Sequence, residues 1–286
     1  MSWPQGPRIA LCLFFFVATA LTQTVGPANG SLAIVGGNMQ DRAIFQRFLD
    51  LAGGPDAPVV VIPTAVGEES YDSNWRGLAR LRKLGARNLT VVHSYNRNDA
   101  ADDKFVEPIR KARAVWFPGG RQWRLADSYL NTKVHEELQN LLARGGVIGG
   151  SSAGATIQGS YLARGDSKTN TVLTGDHEEG FGFLKNVAID QHLLRRNRHH
   201  DLLEVIRAKP HLLGIGIDED TAIVVTGNKF QVIGQSYVAL YDPKRAIDTG
   251  GDFYFLAPGD HYDLTTRQAL LRQDQLVPVE RVVTRP

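Results

Sequence analysis

The chain alternates short apolar runs with stretches whose apolar residues recur every three or four positions. The runs are Leu32-Ala33-Ile34-Val35, Val59-Val60-Val61-Ile62-Pro63, Leu89-Thr90-Val91-Val92, Ala114-Val115-Trp116-Phe117-Pro118 and Gly145-Gly146-Val147-Ile148. Most are uniformly apolar, which suits strands covered on both faces of a parallel sheet. Between the first two, Ile44, Phe45, Phe48, Leu49 and Leu51 have helical spacing, stopped at Gly53-Gly54-Pro55. Helices are also predicted over 75–84, ended by Gly85, and over 106–112, 125–130 and 134–143. Strands and helices alternating at this rhythm predict an α/β fold with a mostly parallel sheet flanked by helices.

Beyond residue 157 the texture changes. Residues 163–180 are polar and loop-like, and Val187-Ala188-Ile189 is a brief strand leading into Asp190-Gln191-His192. Residues 193–207 read as a basic amphipathic helix closed by Pro210. A strand over 213–217 runs into Asp218-Glu219-Asp220-Thr221. The runs 222–225 and 230–233 flank Thr226-Gly227-Asn228-Lys229, a hairpin signal. Residues 237–241 add a strand, and the tail reads as loops with one late strand at 253–256. No repeat, low-complexity tract or linker divides residues 31–286, so a single domain is expected.

The N-terminus reads differently. Arg8 precedes an apolar stretch from Ile9 to Leu21, and Ala18-Thr19-Ala20 supplies a small-residue cleavage site. Residues 1–20 are therefore expected to be a secretory signal peptide, and 21–30 a flexible lead-in. The run is short for a membrane span, so no membrane contact is expected after cleavage. Cys12 is the only cysteine and lies inside the signal segment. The mature chain is then a secreted protein that must build its core without disulfides. With 286 residues, 43% hydrophobic, it is long enough to do so. A formal net charge of +2 gives no global field for nucleic acid. Oligomeric state is left open, with a homodimer among the options.

The chemistry centres on Gly150-Ser151-Ser152-Ala153-Gly154. This fits the Gly-x-Ser-x-Gly nucleophile elbow, in which a strand turns straight into a helix and leaves the serine exposed at the corner. The Ala153 N–H, at the start of that helix, would face an oxyanion forming at Ser152. In open parallel sheets ligands bind beyond the carboxyl ends of strands, and three more polar clusters lie there. Gly119-Gly120-Arg121-Gln122 offers the Gly120 N–H as a second oxyanion donor. Asp190-Gln191-His192 offers a histidine to activate the serine, with His93 as the competing candidate. Asp218-Glu219-Asp220 offers a carboxylate to orient that histidine, and position alone does not rank the three. Arg195, Arg196 and Arg198 form the densest positive patch, suited to gripping carboxylates. On a helix His192 and His199 would share a face, but no carboxylate–His or His-x-x-x-His pair completes a metal site. No metal or cofactor is expected.

These motifs carry a resemblance. Phe117-Pro118-Gly119-Gly120-Arg121-Gln122, Gly150 to Ala155, Asp190-Gln191-His192 and Gly214 to Ala222 stand in the order found in cyanophycinases, of serine peptidase family S51. The likeness runs from about Leu32 to Tyr241. It implies a fold like the class I glutamine amidotransferases and a Ser-His-Glu triad at Ser152, His192 and Glu219. Gln122, Asp190, Gln191, Arg196 and Arg198 match the family's substrate-pocket positions. The resemblance further implies exopeptidase action on cyanophycin, a poly-aspartate bearing arginine on each side chain, with release of β-Asp-Arg dipeptides. Two positions depart from the family pattern: Asp201 where a further arginine is usual, and Arg121 where an acidic residue is common. They make other aspartyl or isoaspartyl peptides an alternative substrate. A secreted binding protein on an inactive scaffold is a third reading.

Overall fold

The structure is a computed structural model and describes residues 24–173, 175–244 and 251–270. The expected signal segment, 1–20, lies outside these. Residues 24–30, expected as a flexible lead-in, are hydrogen-bonded to the body. Asn228 Oδ1 accepts from the Val25 and Gly26 N–H groups, and Asn29 donates to the Ala143 carbonyl.

The first half follows the predicted alternation. Strand β1 (Ser31–Val35) leads to α1 (Arg42–Ala52), β2 (Val59–Val61), α2 (Arg76–Lys83), β3 (Leu89–Val91), α3 (Asp103–Lys111) and β4 (Ala114–Phe117). Then come α4 (Gln122–Tyr129), α5 (Lys133–Ala143), β5 (Val147–Ser151) and α6 (Ala153–Thr156). Asp41 caps α1 by accepting the Ala43 N–H, and Gly53, in the left-handed region at φ 106°, closes it.

The second half carries β6 (Gly159–Tyr161), β7 (Leu184–Gln191), α7 (Asp201–Ala208), β8 (Leu213–Ile217), β9 (Thr221–Thr226) and β10 (Lys229–Gly234). It ends with β11 (Val238–Tyr241), β12 (Tyr254–Leu256), β13 (His261–Asp263) and β14 (Gln268–Leu270). The last two lie where the sequence predicts only loops. They are three residues each and pair only at the sheet edge, so their pattern is too short to read.

Two sheets result. One is ordered β14-β13-β10-β9-β1-β5-β4-β2-β3 and the other β12-β11-β8-β7-β6. The fold is α/β, as expected, but each sheet is mixed. Strands β1, β5, β4, β2 and β3 are mutually parallel, whereas β9, β10, β13 and β14 join antiparallel. In the second sheet β6, β7 and β8 are parallel and β11 and β12 antiparallel.

Side-chain alternation along the strands sets the layers. Ala33, Val35, Ala114 and Trp116 point to the face covered by α1 and α2. Leu32, Ile34, Val115 and Phe117 point to the opposite face. There they meet α3 to α6 and the inner face of the second sheet, Val187, Ile189, Ile215 and Ile217 among its residues. The outer face of that sheet, with Ala188, Ala239 and Tyr241, packs on α7.

The basic helix expected over 193–207 forms only as α7, over Asp201–Ala208. The segment before it is a chain of turns. His192 and Asn197 both take positive φ (56°), and Asp218 Oδ1 accepts the Leu194 and Arg195 N–H groups at 2.9 Å. The carboxylate caps the start of the segment, and the bonds that follow, Asn197 N–H to the Leu194 carbonyl and Arg198 N–H to the Leu193 carbonyl, close turns in place of a regular helical ladder.

Candidate active site

The carboxyl end of β1 organises the site. Strand β1 lies between β5 and β9, with Val35 beside Ser151 on one side and Ala222 on the other. Its backbone then continues as Gly36-Gly37-Asn38 and ties three segments together. Val35 O accepts the Ser152 N–H at 3.0 Å, Gly36 O accepts the His192 N–H at 2.9 Å, and Gly37 O accepts the Asp220 N–H at 2.9 Å. The sequence marks this stretch only as a tight turn after a strand.

Ser152 sits at the corner between β5 and α6 with φ 56° and ψ −112°. A non-glycine residue there is strained, and the packing around it enforces the strain. A Cβ on Gly150 would lie 2.3 Å from the Gly154 carbonyl oxygen, and one on Gly154 would lie 2.0 Å from the Phe117 carbonyl oxygen. Only glycine lets the strand, the helix and β4 approach this closely. Helix α6 is a single turn of four residues, so the Ala153 amide is backed by little helix dipole.

Because β7 and β8 are parallel neighbours, with Gln191 beside Ile217, the residues just past their ends lie side by side. That brings His192 to Glu219. The imidazole Nδ1 and Glu219 Oε1 are 2.6 Å apart, and Nε2 is 2.9 Å from Ser152 Oγ. Asn38 Nδ2 donates to the other Glu219 oxygen at 2.9 Å. A carboxylate on Nδ1 holds the proton there and leaves Nε2 free to accept from the serine. Burial is the main influence lowering the His192 pKa below 6.5. The Glu219 hydrogen bond opposes it, and the charges of Arg196 and Arg198 reinforce it. The imidazole is therefore neutral near pH 7, the state a general base needs. For Glu219, burial acts to raise the pKa. The hydrogen bonds from His192 and Asn38 and the charge of Arg195 outweigh it and hold the carboxyl below its ordinary value.

The geometry separates the three acidic residues. Asp218 Oδ1 caps the turn after His192, and its Oδ2 accepts from Ser236 Oγ at 2.7 Å. Asp220 Oδ1 accepts the Gln40 and Asp41 N–H groups at 2.7 and 2.6 Å. Glu219 alone reaches the imidazole. The competing His93 lies after β3, three strand spacings from β5, or about 14 Å at ~4.8 Å each. Its ring is held between Tyr71 and Tyr95 and bonded to Thr64 Oγ1.

A cavity of about 260 Å³ opens onto Ser152 and His192, walled by Met39, Trp75, Leu81 and Trp116. Gly119 rather than Gly120 lines it. A Cβ on Gly119 would lie 3.7 Å from Ser152 Oγ, whereas one on Gly120 would meet the Ala65 carbonyl. The Gly120 and Ala153 N–H groups donate to no protein acceptor among the described residues.

The family model for peptidase family S51 matches residues 32–233. The chain belongs to family S51. It is 31% identical to a cyanophycinase from Geminocystis herdmanii over 264 residues, 85% of this chain and 96% of that protein. It is 29% identical to a cyanophycinase from a Nostoc species over 241 residues, 81% of this chain and 80% of that protein. A solved peptidase from an acI-B1 actinobacterium superposes with a TM-score of 0.64 at 25% identity, covering 83% of this chain and 98% of that one. The protein is accordingly a serine-type peptidase of this family.

The five residues that the resemblance led us to expect in a substrate pocket do not line the cavity beside Ser152. Gln122 is buried and donates to the Ala163 and Arg164 carbonyls at 2.7 and 2.9 Å. Gln191 Oε1 accepts from Arg198 at 2.9 Å, and Arg198, also buried, donates in addition to the Gln191 carbonyl. Arg196 is exposed. Asp190, expected among the substrate-pocket residues, has no exposed surface. Arg164 takes both its oxygens, Nε to Oδ1 at 2.8 Å and Nη2 to Oδ2 at 2.9 Å. The same Arg164 reaches Asp201, so the family departure at Asp201 pairs with a buried arginine. Arg121, the other departure, binds the carbonyls of Asp166 and Thr169 and anchors this segment. Arg164 comes from the stretch that reads as a featureless loop. Its charge in a polar tract gave no sign that the fold would bury it.

Proposed function

We propose that this S51 peptidase is a secreted exopeptidase that hydrolyses cyanophycin to β-Asp-Arg dipeptides with Ser152, His192 and Glu219 as its triad. The continuous chain of hydrogen bonds from Ser152 Oγ through the imidazole to Glu219 carries the reading. The named activity of the cyanophycinase relatives supports the substrate. The apolar stretch before Ala18-Thr19-Ala20 supports secretion.

In this mechanism His192 Nε2 takes the Ser152 proton as Oγ attacks the amide carbonyl. Glu219 holds the imidazole and stabilises the imidazolium. The N–H groups of Gly120 and Ala153 receive the oxyanion. His192 then protonates the leaving amine, and water attacks the acyl-enzyme by the same route. The exposed Arg196 holds a substrate carboxylate.

Insoluble cyanophycin incubated with the parent and with Ser152→Ala tests this. Mass analysis should find β-Asp-Arg released by the parent alone. Parental release by Ser152→Ala would refute the assignment.

One observation favours a second substrate reading. With Asp190 closed by Arg164, a guanidinium loses the carboxylate that the family position would offer it. Aspartyl or isoaspartyl peptides without arginine are then the substrates. A panel of β- and α-linked dipeptides decides between the two readings. A serine-reactive phosphonate that labels the parent but not Ser152→Ala excludes an inactive scaffold.

A further inference from the structure

Large apolar side chains are exposed at five positions among the described residues: Tyr95, Leu194, Tyr237, Phe255 and Leu270. Two of them, Leu194 and Tyr237, are tied through their backbones to Asp218, the residue before Glu219. The Asp218 N–H donates to the Tyr237 carbonyl, and Asp218 Oδ1 accepts the Leu194 and Arg195 N–H groups. Tyr237 leads into β11, whose Val238 pairs with Ile217 at the catalytic end of β8. Strand β12 lies antiparallel to β11 at the open edge of the second sheet, with Phe255 beside Ala239. Residues 253 and 255 share a face of the strand, and Phe253 packs on the cluster that includes Ala239 and Tyr241. The rings therefore form a row. Centroids are 5.8 Å apart from Tyr237 to Phe255, 5.4 Å from Phe255 to Phe253 and 5.6 Å from Phe253 to His200. The row starts beside the residues that carry the triad and leads away from them over the outer face of the sheet. Tyr237 and Phe255 remain 47% and 43% exposed, and exposed apolar surface gathered in this way marks a site of interaction.

We propose that this aromatic row is a docking strip for an arginine-bearing acidic polymer, holding repeats that lie outside the cleavage site. The proposal rests on the cyanophycin reading above. An arginine joined through its amine to an aspartyl side chain keeps a guanidinium and a carboxylate on every repeat. A guanidinium is weakly hydrated and stacks on aromatic faces, and Tyr237, Phe255 and Phe253 present such faces in line. Arg195 and Arg196, both exposed, follow Leu194 in the turn tied to Asp218 and meet the carboxylates. Both charges of a repeat thus find a partner on a surface continuous with the triad. Within the site Arg164 already takes the Asp190 carboxylate, so guanidinium groups gain more from the strip than from that position. One stacked contact is weak at an exposed site, but a polymer engages several repeats together. The strip then raises the effective concentration of chain ends at Ser152.

The test is adsorption to insoluble cyanophycin, read as depletion from solution, with Ser152→Ala present throughout to prevent cleavage. Tyr237→Leu with Phe255→Leu keeps apolar surface and removes the aromatic faces. Two stacked contacts at exposed positions are worth about five- to thirtyfold in affinity, and this pair should lose about that much. Tyr237→Phe with Phe255→Tyr keeps both rings and should adsorb like Ser152→Ala alone. So should Tyr95→Ala, which removes an exposed ring beyond β3 at the far edge of the other sheet. With Ser152 restored, the Leu pair should release β-Asp-Arg from the polymer more slowly than the parent. It should still cleave two joined β-Asp-Arg units, which have no further repeats, at the parental rate. Undiminished adsorption of the Leu pair, or an equal loss on the short substrate, would overturn the strip and leave the peptidase reading standing. Ring-dependent adsorption without cleavage by the parent would support the strip and overturn the peptidase reading. A parent that neither adsorbs to the polymer nor cleaves it would overturn the cyanophycin reading and the strip with it. A parent that sediments as a dimer beside a monomeric Leu pair would make the row a contact between copies and overturn the strip.

Discussion

Gly37→Ala tests whether the end of β1 sets the position of the imidazole. A methyl built on Gly37 would lie 2.3 Å from His192 Cε1, 2.6 Å from Nδ1 and 2.9 Å from Nε2. Carbon atoms in ordinary contact are about 3.5–4.0 Å apart, so the ring must retreat by roughly 1 Å or more. It cannot do so freely, because Ser152 and Glu219 hold its two nitrogens at 2.9 and 2.6 Å. A misplacement of about 1 Å costs on the order of 100-fold in rate. We expect kcat/KM, and the rate of phosphonate labelling at Ser152, to fall by about that factor. Gly37 also has φ 138°, and an L-residue held in such a region costs of order 1–3 kcal/mol. Urea denaturation should show that loss. Gly53→Ala is the control. Its φ is 106°, nothing lies within 4 Å of the added methyl, and it sits at the far end of α1. It should lose similar stability and keep parental activity. A Gly37→Ala protein that labels at the parental rate while Gly53→Ala behaves as stated would refute the argument.

Arg196→Gln removes a charge that helps keep the His192 pKa below 6.5. Activity needs the neutral imidazole, so the acid limb of kcat/KM should move to higher pH, most at low ionic strength; an unmoved or lower limb refutes this. The same depressed pKa stabilises the fold above the unfolded value, about 6.5, and that contribution should fade as pH falls through the folded one. Asn38→Ala deletes a 2.9 Å bond to Glu219. A net worth of about 0.5–1.5 kcal/mol predicts a two- to tenfold drop in kcat/KM, checked by steady-state kinetics. Arg164→Ala leaves the buried Asp190 with Arg198, 4.0 Å away, as its remaining ion-pair partner. Removing one partner of a buried ion pair costs about 3–5 kcal/mol, which urea denaturation should show. A loss under about 1 kcal/mol would mean water reaches Asp190.

Much of the site was legible because a strand-to-helix corner constrains composition locally. Gly150 must be glycine because a Cβ there would strike the backbone of Gly154, close along the chain, so Ser152 could be read from its neighbours; Gly154 is held to glycine by the remote Phe117 carbonyl. His192 and Glu219 were legible as polar residues ending apolar runs. Their ranking over His93, Asp218 and Asp220 was not, because all of them meet the same local description. Gly37 and Asn38 went unread for a related reason. A glycine turn after a strand looks alike whether it meets solvent or an imidazole.

The sequence by itself determined the alternation of elements, the corner serine and the α/β class, since each depends on periodicity or on contacts close along the chain. The tertiary structure decided what depends on distant segments meeting. Strand β1 lies between β5 and β9, and the parallel pairing of β7 with β8 sets Glu219 beside His192. It also decided that the 193–200 segment turns rather than coils and that Arg164 closes on Asp190. The second outcome turns on a carboxylate of β7 taking a guanidinium that local pattern leaves unassigned.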